Sequence, residues 1–312
     1  MTTAFVFPGQ GSQVVGMGKS LADNFTSARA VFDEIDTALG EKLTQTMWQG
    51  PADKLTLTEN TQPALLAVSI AALRVLEAEA GVDLKRDVTF LAGHSLGEYS
   101  AHAAAGSFAL ADAARLVRTR GRAMQQAVPV GVGAMAALLG LDGDAAKAVA
   151  SEAAQGEICE VANDNAPGQI VVSGHKTAVE RAIEIAKARG SRALMLPVSA
   201  PFHCALMKPA ADAMAEALSK VSVRAPNVPV IANVTALPVK DPAEIVKLLV
   251  AQVTGTVRWR ESAGYLAANG VTKVVEVGSG KVLAGLMKRI AKEVTAVNVG
   301  TVEDVAAFKA KT

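Results

Sequence analysis

Aromatic side chains are scarce in this chain of 312 residues, at 4% of the total, although apolar residues make up 50%. A hydrophobic core must therefore be built mainly from Ala, Val, Leu, Ile and Met. Only two cysteines occur, Cys159 and Cys204, and their separation matches neither a metal-ligand motif nor a disulfide framework. We interpret both as small buried thiols and predict no metal site.

An excess of charge of either sign is also missing. The chain has 31 Lys and Arg residues against 30 Asp and Glu residues, a formal net charge of +1, and no long basic run, so we expect no nucleic-acid binding. Its first residues lack the charged and apolar regions of a secretion signal. The most apolar helical stretch, 63–82, carries Arg74, Glu77 and Glu79, which favours a core helix over a membrane span. The sequence therefore predicts a globular, cytoplasmic protein that does not enter a membrane.

Short apolar runs of strand length alternate with amphipathic segments through most of the chain, which predicts an α/β fold with a largely parallel sheet. Between 128 and 198 the pattern changes to β-α-β-β-α-β, with the turn-forming run "NDNAPG" between the two central strands. That order is typical of a ferredoxin-like unit. We therefore expect a small α+β subdomain, 128–198, inserted into a larger subdomain made of 1–127 and 199–312.

The pentapeptide "GHSLG", residues 93–97, follows an apolar run and precedes an Ala-rich helical segment. G-x-S-x-G between a strand and a helix is the setting of a nucleophile elbow, in which flanking glycines let neighbouring backbone approach a strained serine. The helix N-terminus that follows offers unpaired N–H groups to a developing oxyanion. Ser95 is thus a candidate nucleophile, with an ordinary turn as the alternative.

A serine nucleophile needs a base, and the chain has four histidines. His94 lies inside the elbow and should point away from the Ser95 hydroxyl, while His102 lies seven residues along the next helix. For His175, at the start of a helix in the insert, we expect a solvated or capping role. His203, in "PVSAPFHCALM", is the best candidate base, although a core or surface position is the alternative. An α/β-hydrolase esterase normally places its histidine late in the chain, and here none follows His203.

Several motifs in order make the whole chain resemble the malonyl-CoA:acyl carrier protein transacylases of fatty-acid and polyketide synthesis. They are "FVFPGQGSQ", "GHSLGEYSA", "RTRGRAMQ", "GAMAALLGL", "NDNAPGQIVVSG", "PVSAPFHCALM" and "VEVGSGKVL". The resemblance implies an α/β-hydrolase-like large subdomain with a ferredoxin-like insert, in agreement with the pattern of elements. Two positions depart from the family: His102 stands where an aliphatic residue is more usual, and Ser279 where proline is usual.

The resemblance also assigns roles to individual positions. It implies that Ser95 is acylated, that His203 is its general base, and that the backbone carbonyl of Gln252 orients the imidazole in place of a carboxylate. The amides of Gln10 and Leu96 would form the oxyanion hole. Residues expected to bind substrate are Arg120, Asn163 and Phe202. A guanidinium suits the free carboxylate of a malonyl group because it can donate two parallel hydrogen bonds, whereas without the resemblance the Arg120 region is only a basic helix face.

The expected reaction is ping-pong transfer of malonyl from malonyl-CoA to the phosphopantetheine thiol of holo acyl carrier protein, without a cofactor, in a protein that acts as a monomer. An esterase or an acyltransferase of different acyl preference is the alternative reading, and a binding module without catalysis is a third. Acylation by malonyl-CoA would separate these possibilities, because only the transferase should retain a malonyl group at Ser95.

Overall fold

The structure, a computed structural model, describes residues 2–310 and contains two β-sheets. The larger sheet has six strands in the order β10-β9-β1-β2-β7-β8, parallel except for the β7–β8 pair. Its strands are β1 (Thr3–Phe7), β2 (Phe90–Gly93), β7 (Val230–Ile231), β8 (Pro238–Val239), β9 (Lys273–Val277) and β10 (Thr295–Val299). The central strands β1 and β2 are almost entirely apolar because helices cover both faces of a parallel sheet.

Thirteen helices accompany this sheet within the described residues. They are α1 (Lys19–Asn24), α2 (Thr26–Leu39), α3 (Leu43–Gln49), α4 (Ala52–Thr56), α5 (Thr58–Ala80), α6 (Leu84–Asp87), α7 (Leu96–Ala104), α8 (Leu110–Gln126), α11 (Lys208–Ser219), α12 (Pro242–Thr254), α13 (Trp259–Ala268), α14 (Val282–Ile290) and α15 (Val302–Lys309). No helix in the described part of the chain combines the length and apolar character needed to cross a membrane.

The second sheet is antiparallel, in the order β4-β5-β3-β6. It consists of β3 (Gly133–Leu139), β4 (Cys159–Ala166), β5 (Gln169–His175) and β6 (Arg192–Met195), with α9 (Gly143–Ala154) and α10 (Lys176–Ala188) packed against it. The chain order is the β-α-β-β-α-β order expected from the sequence. Asp142 caps α9 as expected of a start signal, since its side chain accepts a hydrogen bond from the amide of Ala145 at 2.8 Å.

The predicted turn between the central strands was misplaced. The residues "NDNA" of "NDNAPG" belong to β4, and the turn itself consists of Pro167 and Gly168, with Gly168 at φ +69°. Asn and Asp favour turns. Here they are held extended because β4 pairs with β5 on one side and Asn163 forms a β-bridge with Val257, between α12 and α13, on the other.

Helix α5 begins at Thr58, five residues before the start at Pro63 that its sequence suggests. Proline inside a helix leaves the carbonyl four residues earlier without its donor, in this case the carbonyl of Glu59. The guanidinium of Arg118 on α8 supplies the missing donor, with Nη1 at 2.8 Å from that oxygen. Arg118 is consequently buried, as is Arg120, so this part of α8 is not simply a basic helix face.

The last third of the chain holds elements that the sequence reading missed, namely α13, β10 and α15. Strand β10 is an edge strand of mixed apolar and polar residues, "TAVNV", which lacks a distinct pattern. Its place is decided by parallel pairing with β9 over five residues.

Candidate active site

The geometry of Ser95 explains the glycines around it. Ser95 links the end of β2 to the start of α7 at φ +55° and ψ −111°, a strained conformation for a residue with a side chain. A Cβ atom on Gly93 would lie 1.9 Å from the carbonyl oxygen of Gly97, and one on Gly97 would lie 2.3 Å from that of Phe7. Both glycines are therefore required for the backbone to close around the serine.

His203 lies against this turn, as the sequence suggested. Its Nε2 is 2.8 Å from the Ser95 hydroxyl oxygen, and its Nδ1 is 2.9 Å from the carbonyl oxygen of Gln252. Because a carbonyl only accepts, Nδ1 carries the proton and Nε2 is left to accept the serine proton. Burial, followed by the positive charge of Arg120, lowers the pKa of His203 to about 3, so the imidazole is neutral near pH 7.

Two backbone amides at the elbow have no acceptor within residues 2–310. One is the amide of Leu96, the first residue of α7, and the other is that of Gln10 in the turn after β1. The two segments are in close contact, since a Cβ on Gly9 would lie 2.6 Å from the carbonyl oxygen of His94. The side chain of Gln10 points elsewhere, to the Thr58 hydroxyl at 3.2 Å. The arrangement leaves both amides available to a ligand.

Arg120 brings a buried positive charge to the serine. Its side chain reaches from α8, is 1% exposed, and donates from Nη2 to the Ser95 hydroxyl at 3.1 Å and to Oε1 of Gln252 at 2.8 Å. Its Nη1 donates to Oε1 of Gln62 at 2.9 Å, and the guanidinium lies over the Tyr99 ring at 5.6 Å. Burial lowers the pKa of Arg120, yet an arginine remains charged in proteins. Arg120 thus places a desolvated positive charge next to the Ser95 hydroxyl.

Arg122 lies apart from this cluster, which distinguishes it from Arg120. Its side chain is 55% exposed and its Nε bonds to the Glu59 carboxylate at 2.8 Å. The guanidinium in the cluster is therefore the one that the motif comparison selected.

The other two residues expected to bind substrate are Phe202 and Asn163. Phe202 is buried in the large core immediately before His203. Asn163 is buried in β4, where its backbone pairs with Val171 on one side and bridges to Val257 on the other. From β4, the amide side chain of Asn165 reaches the elbow, and its Oδ1 is 2.8 Å from Nε2 of His94. His94 therefore points away from the serine, as expected.

The two remaining histidines lie away from the serine. A solvated or capping role was expected for His175: it is the N-cap residue of α10 and is half-buried, but its side chain makes no cap hydrogen bond, and its Nδ1 accepts from the amide of Ile158 at 2.9 Å. His102 is fully buried against Phe108, and its Nδ1 lies 3.3 Å from the Ser107 hydroxyl.

Asn233 and Glu98 complete the cluster and were not found from the sequence. The side chain of Asn233 accepts from the Ser95 amide at 2.8 Å and donates to the Gly93 carbonyl at 2.7 Å, so it clamps the elbow from both sides. Glu98 is buried three residues after the serine. The signal for Glu98 was its position in the otherwise uncharged run "SLGEYSA"; Asn233 follows a short strand and gave no signal of its own.

The chain is similar to known proteins over almost its whole length. A family model described as an acyl transferase domain matches residues 4–307. The malonyl CoA-acyl carrier protein transacylase of Escherichia coli (strain K12) is 50% identical over 294 residues, 94% of each chain. That of Bacillus subtilis (strain 168) is 46% identical over 304 residues, which cover 97% of this chain and 94% of the relative.

Solved structures show the same likeness in three dimensions. The acyl-carrier-protein-S-malonyltransferase from Bartonella henselae superposes with a TM-score of 0.96 at 56% identity, covering 99% of this chain and 98% of that one. A malonyl-transacylase solved in complex with a type II PKS acyl-carrier protein gives a TM-score of 0.96 at 42% identity, with full coverage of both chains. These matches cover almost the whole chain. The chain therefore belongs to the acyl transferase domain family, together with the malonyl CoA-acyl carrier protein transacylases.

Proposed function

We propose that this protein transfers the malonyl group of malonyl-CoA to the phosphopantetheine thiol of acyl carrier protein, through a malonyl ester of Ser95. The observation that carries the proposal is the contact of one serine hydroxyl with both a neutral imidazole, at 2.8 Å, and a buried guanidinium, at 3.1 Å. An imidazole activates the serine, and a guanidinium selects an acyl group that ends in a carboxylate. The names of the relatives support the same reaction.

In the first half-reaction, His203 accepts the Ser95 proton at Nε2 as the serine oxygen attacks the thioester carbon. The amides of Gln10 and Leu96 stabilise the oxyanion of the tetrahedral intermediate. The carbon–sulfur bond then breaks, and the imidazolium returns its proton to the thiolate of CoA. The products are free CoA and malonyl-Ser95, and the low pKa of His203 makes its protonated form a good acid for this step.

The second half-reaction repeats these steps in the opposite direction. His203 takes the proton of the phosphopantetheine thiol, the sulfur attacks the ester carbonyl, and the Ser95 oxygen leaves with that proton. Arg120 holds the malonyl carboxylate throughout. The Gln252 carbonyl keeps the Nδ1 proton in place, which is the task of a carboxylate in a Ser-His-Asp triad. We expect Phe202 and Asn163 to line the acyl pocket.

We also propose that the chain is divided into two subdomains. The antiparallel sheet order and the β-α-β-β-α-β chain order support a ferredoxin-like insert at 128–198, and the largely parallel sheet supports an α/β-hydrolase-like subdomain from 1–127 and 199–312. Acyl carrier protein as partner is supported by the relative solved with such a protein. A cytoplasmic location and a monomeric state stay predictions.

Incubation with malonyl-CoA, followed by intact mass and peptide mapping, tests the function. We expect one malonyl group per chain on the peptide containing Ser95, lost on addition of holo acyl carrier protein. Ser95→Ala should abolish labelling and keep the fold, and His203→Ala should slow it by about two to four orders of magnitude. An esterase would hydrolyse simple esters without retaining malonyl, and a binding module would not be labelled. Malonylation at a different residue would contradict the proposal.

A further inference from the structure

Arg120 has no carboxylate partner in direct contact within residues 2–310, although it is buried. Its hydrogen bonds go to neutral groups, the side chains of Gln62, Ser95 and Gln252. A buried cation requires compensation, because removal from water costs several kcal/mol in free energy. The buried acid of this region is Glu98, which lies on the far side of the Gln252 side chain.

The amide of Gln252 joins the two charges. Its Oε1 accepts from Arg120 at 2.8 Å, and its Nε2 donates to Glu98 at 2.6 Å and to the Ser95 carbonyl at 2.9 Å. An amide side chain can be turned over, which would point its NH₂ group at the guanidinium. A carboxylate only accepts hydrogen bonds, so ionised Glu98 adds a charged acceptor to the Ser95 carbonyl and strengthens the orientation in which the amide oxygen faces Arg120.

The same carboxylate oxygen of Glu98 supports the second clamp on the serine. It accepts from the backbone amide of Asn233 at 3.1 Å. Asn233 in turn holds the elbow through the Ser95 amide and the Gly93 carbonyl. Glu98 is thus the point at which the supports of the serine and of the guanidinium meet.

We propose that Glu98 is a positioning residue that sets the malonyl specificity of the site by orienting the Gln252 amide, and through it Arg120. This inference rests on the proposed transfer of malonyl. Glu98 touches neither the serine hydroxyl nor the imidazole, and it acts through its two neighbours. The catalytic role of Gln252 with respect to His203 uses its backbone carbonyl, so the side chain can be changed separately.

The surroundings of Glu98 give the proposal a pH-dependent readout. Burial raises the pKa of Glu98 to about 7, against the effects of Gln252, Asn233 and Arg120. Strands β1, β2 and β7, which pack against α7, carry no titratable side chain, and the ionisable residues of α5 lie toward its ends or its outer face. Helix α8 also packs against α7 and presents Arg120, which keeps its charge throughout this pH range. His203 has a pKa of about 3, and burial raises the pKa of Tyr99, so neither changes charge between pH 5.5 and 8.

Glu98→Gln tests the proposal because it removes the charge and keeps the size, in effect imitating the protonated carboxyl. The matched control is Glu276→Gln, since Glu276 is also fully buried and bonds to a backbone amide, that of Ala284, at the start of α14. Gln252→Met, alone and combined with Glu98→Gln, removes the amide and keeps the backbone carbonyl. The measurement is kcat/KM for acylation by malonyl-CoA and by acetyl-CoA at pH 8 and pH 5.5, with thermal unfolding of each variant.

At pH 8 we expect Glu98→Gln to lower kcat/KM for malonyl-CoA about tenfold, because a hydrogen bond to a charged acceptor is stronger than one to a neutral acceptor. The value for acetyl-CoA should change less than threefold. At pH 5.5 the wild-type protein and the variant should converge, and Glu276→Gln should follow the wild type at both pH values. In the Gln252→Met background, Glu98→Gln should add less than threefold.

The opposite results are equally specific. Equal losses for malonyl and acetyl, a loss that is the same at both pH values, or full additivity with Gln252→Met would overturn the role of Glu98. In that event the wild-type protein would still transfer malonyl. Absence of malonylation in the wild type would instead overturn the proposed function itself, so the two failures are distinguishable.

Discussion

At the residue scale, the site depends on side chains whose protonation is set by burial. Arg120 stays charged without a direct carboxylate partner, His203 stays neutral, and Glu98 has a pKa of about 7. Each state follows from the removal of water together with one or two directed hydrogen bonds. Substitutions at these positions should therefore alter specificity or pH dependence rather than the fold.

Arg120→Ala should lower kcat/KM for malonyl-CoA at least a hundredfold, because two charge-assisted hydrogen bonds contribute roughly 1.5–3 kcal/mol each. Acetyl-CoA makes no such contact, so its kcat/KM should fall little or rise. Arg120→Lys should recover only part of the malonyl rate, since an ammonium lacks the planar fork. Arg122→Ala is the control, and steady-state assays with both thioesters are the measurement. Equal losses for the two substrates would show that Arg120 supports CoA binding or the fold.

His102 should lower the free energy of unfolding, and only at acid pH. Its buried Nε2 has no hydrogen-bond partner within the described residues, and burial lowers the pKa of His102 from its ordinary value of 6.5 to about 3. The stability that a neutral His102 provides is present above pH 6.5 and is lost as the pH falls, because the unfolded chain binds the proton first. His102→Leu should remove this loss, which is on the order of 2–3 kcal/mol between pH 7 and 4.5. Urea unfolding at both pH values measures it, and a pH-independent difference between the proteins would contradict the assignment.

At the element scale, the junction of β1, β2 and α7 sets the position of the nucleophile. The start of α7 packs so closely on the end of β1 that no side chain fits at Gly97. The serine can therefore stand at the carboxyl edge of the sheet with the first amide of the helix beside it. This close packing is a property of three elements together.

Two helical glycines test that packing. Gly97→Ala in α7 should reduce the free energy of unfolding by about 1–3 kcal/mol and slow Ser95 acylation, because the new methyl group would overlap the Phe7 carbonyl. Gly264→Ala in α13 has open space around it and should stabilise the protein by about 0.5–1 kcal/mol. Chemical denaturation and the acylation rate are the two measurements. A neutral Gly97→Ala would mean that the backbone shifts freely and that the elbow is not rigid.

At the scale of the whole molecule, β4 of the antiparallel sheet is joined by backbone hydrogen bonds to the segment between α12 and α13. The amide of Val257 donates to the Ala162 carbonyl at 2.8 Å, and the amide of Asp164 donates to the Val257 carbonyl at 2.9 Å. Arg260 on α13 adds a two-pronged ion pair to the Asp164 carboxylate, at 2.7–3.0 Å. These contacts hold β4 against α13 and the segment before it, close to the elbow, where Asn165 meets His94.

Arg260→Ala should lower the free energy of unfolding by about 1–2 kcal/mol, because it leaves the largely buried Asp164 carboxylate without its partner. Lys208→Ala, which removes one member of the exposed pair with Asp212, should change it by less than about 0.5 kcal/mol. Urea titrations of the three proteins at low and high salt provide the comparison. Equal effects of the two substitutions would show that the docking contact contributes no more than a surface pair.

Local sequence patterns predicted most elements and two of the three residues that meet at the candidate site. Alternating strand and helix patterns located β1, β2, α8 and the β-α-β-β-α-β segment, because hydrophobic periodicity is present in consecutive residues. Ser95 was a candidate from G-x-S-x-G and His203 from its position in the chain, whereas Arg120 was selected only by the family resemblance. Weakly patterned edge elements such as β10 were missed because their neighbours decide their structure.

The sequence by itself determined which residue types were available: a serine between glycines, a histidine in a segment that contains two prolines, and an arginine before a glycine in a basic run. Only the tertiary structure decided how Glu98, Gln252 and Asn233 connect them, since Glu98 is 135 positions from Asn233 and 154 from Gln252 and meets each through a single hydrogen bond. A hydrogen bond across that separation leaves no periodic trace in the chain. It exists because the parallel sheet brings the ends of distant strands to one edge.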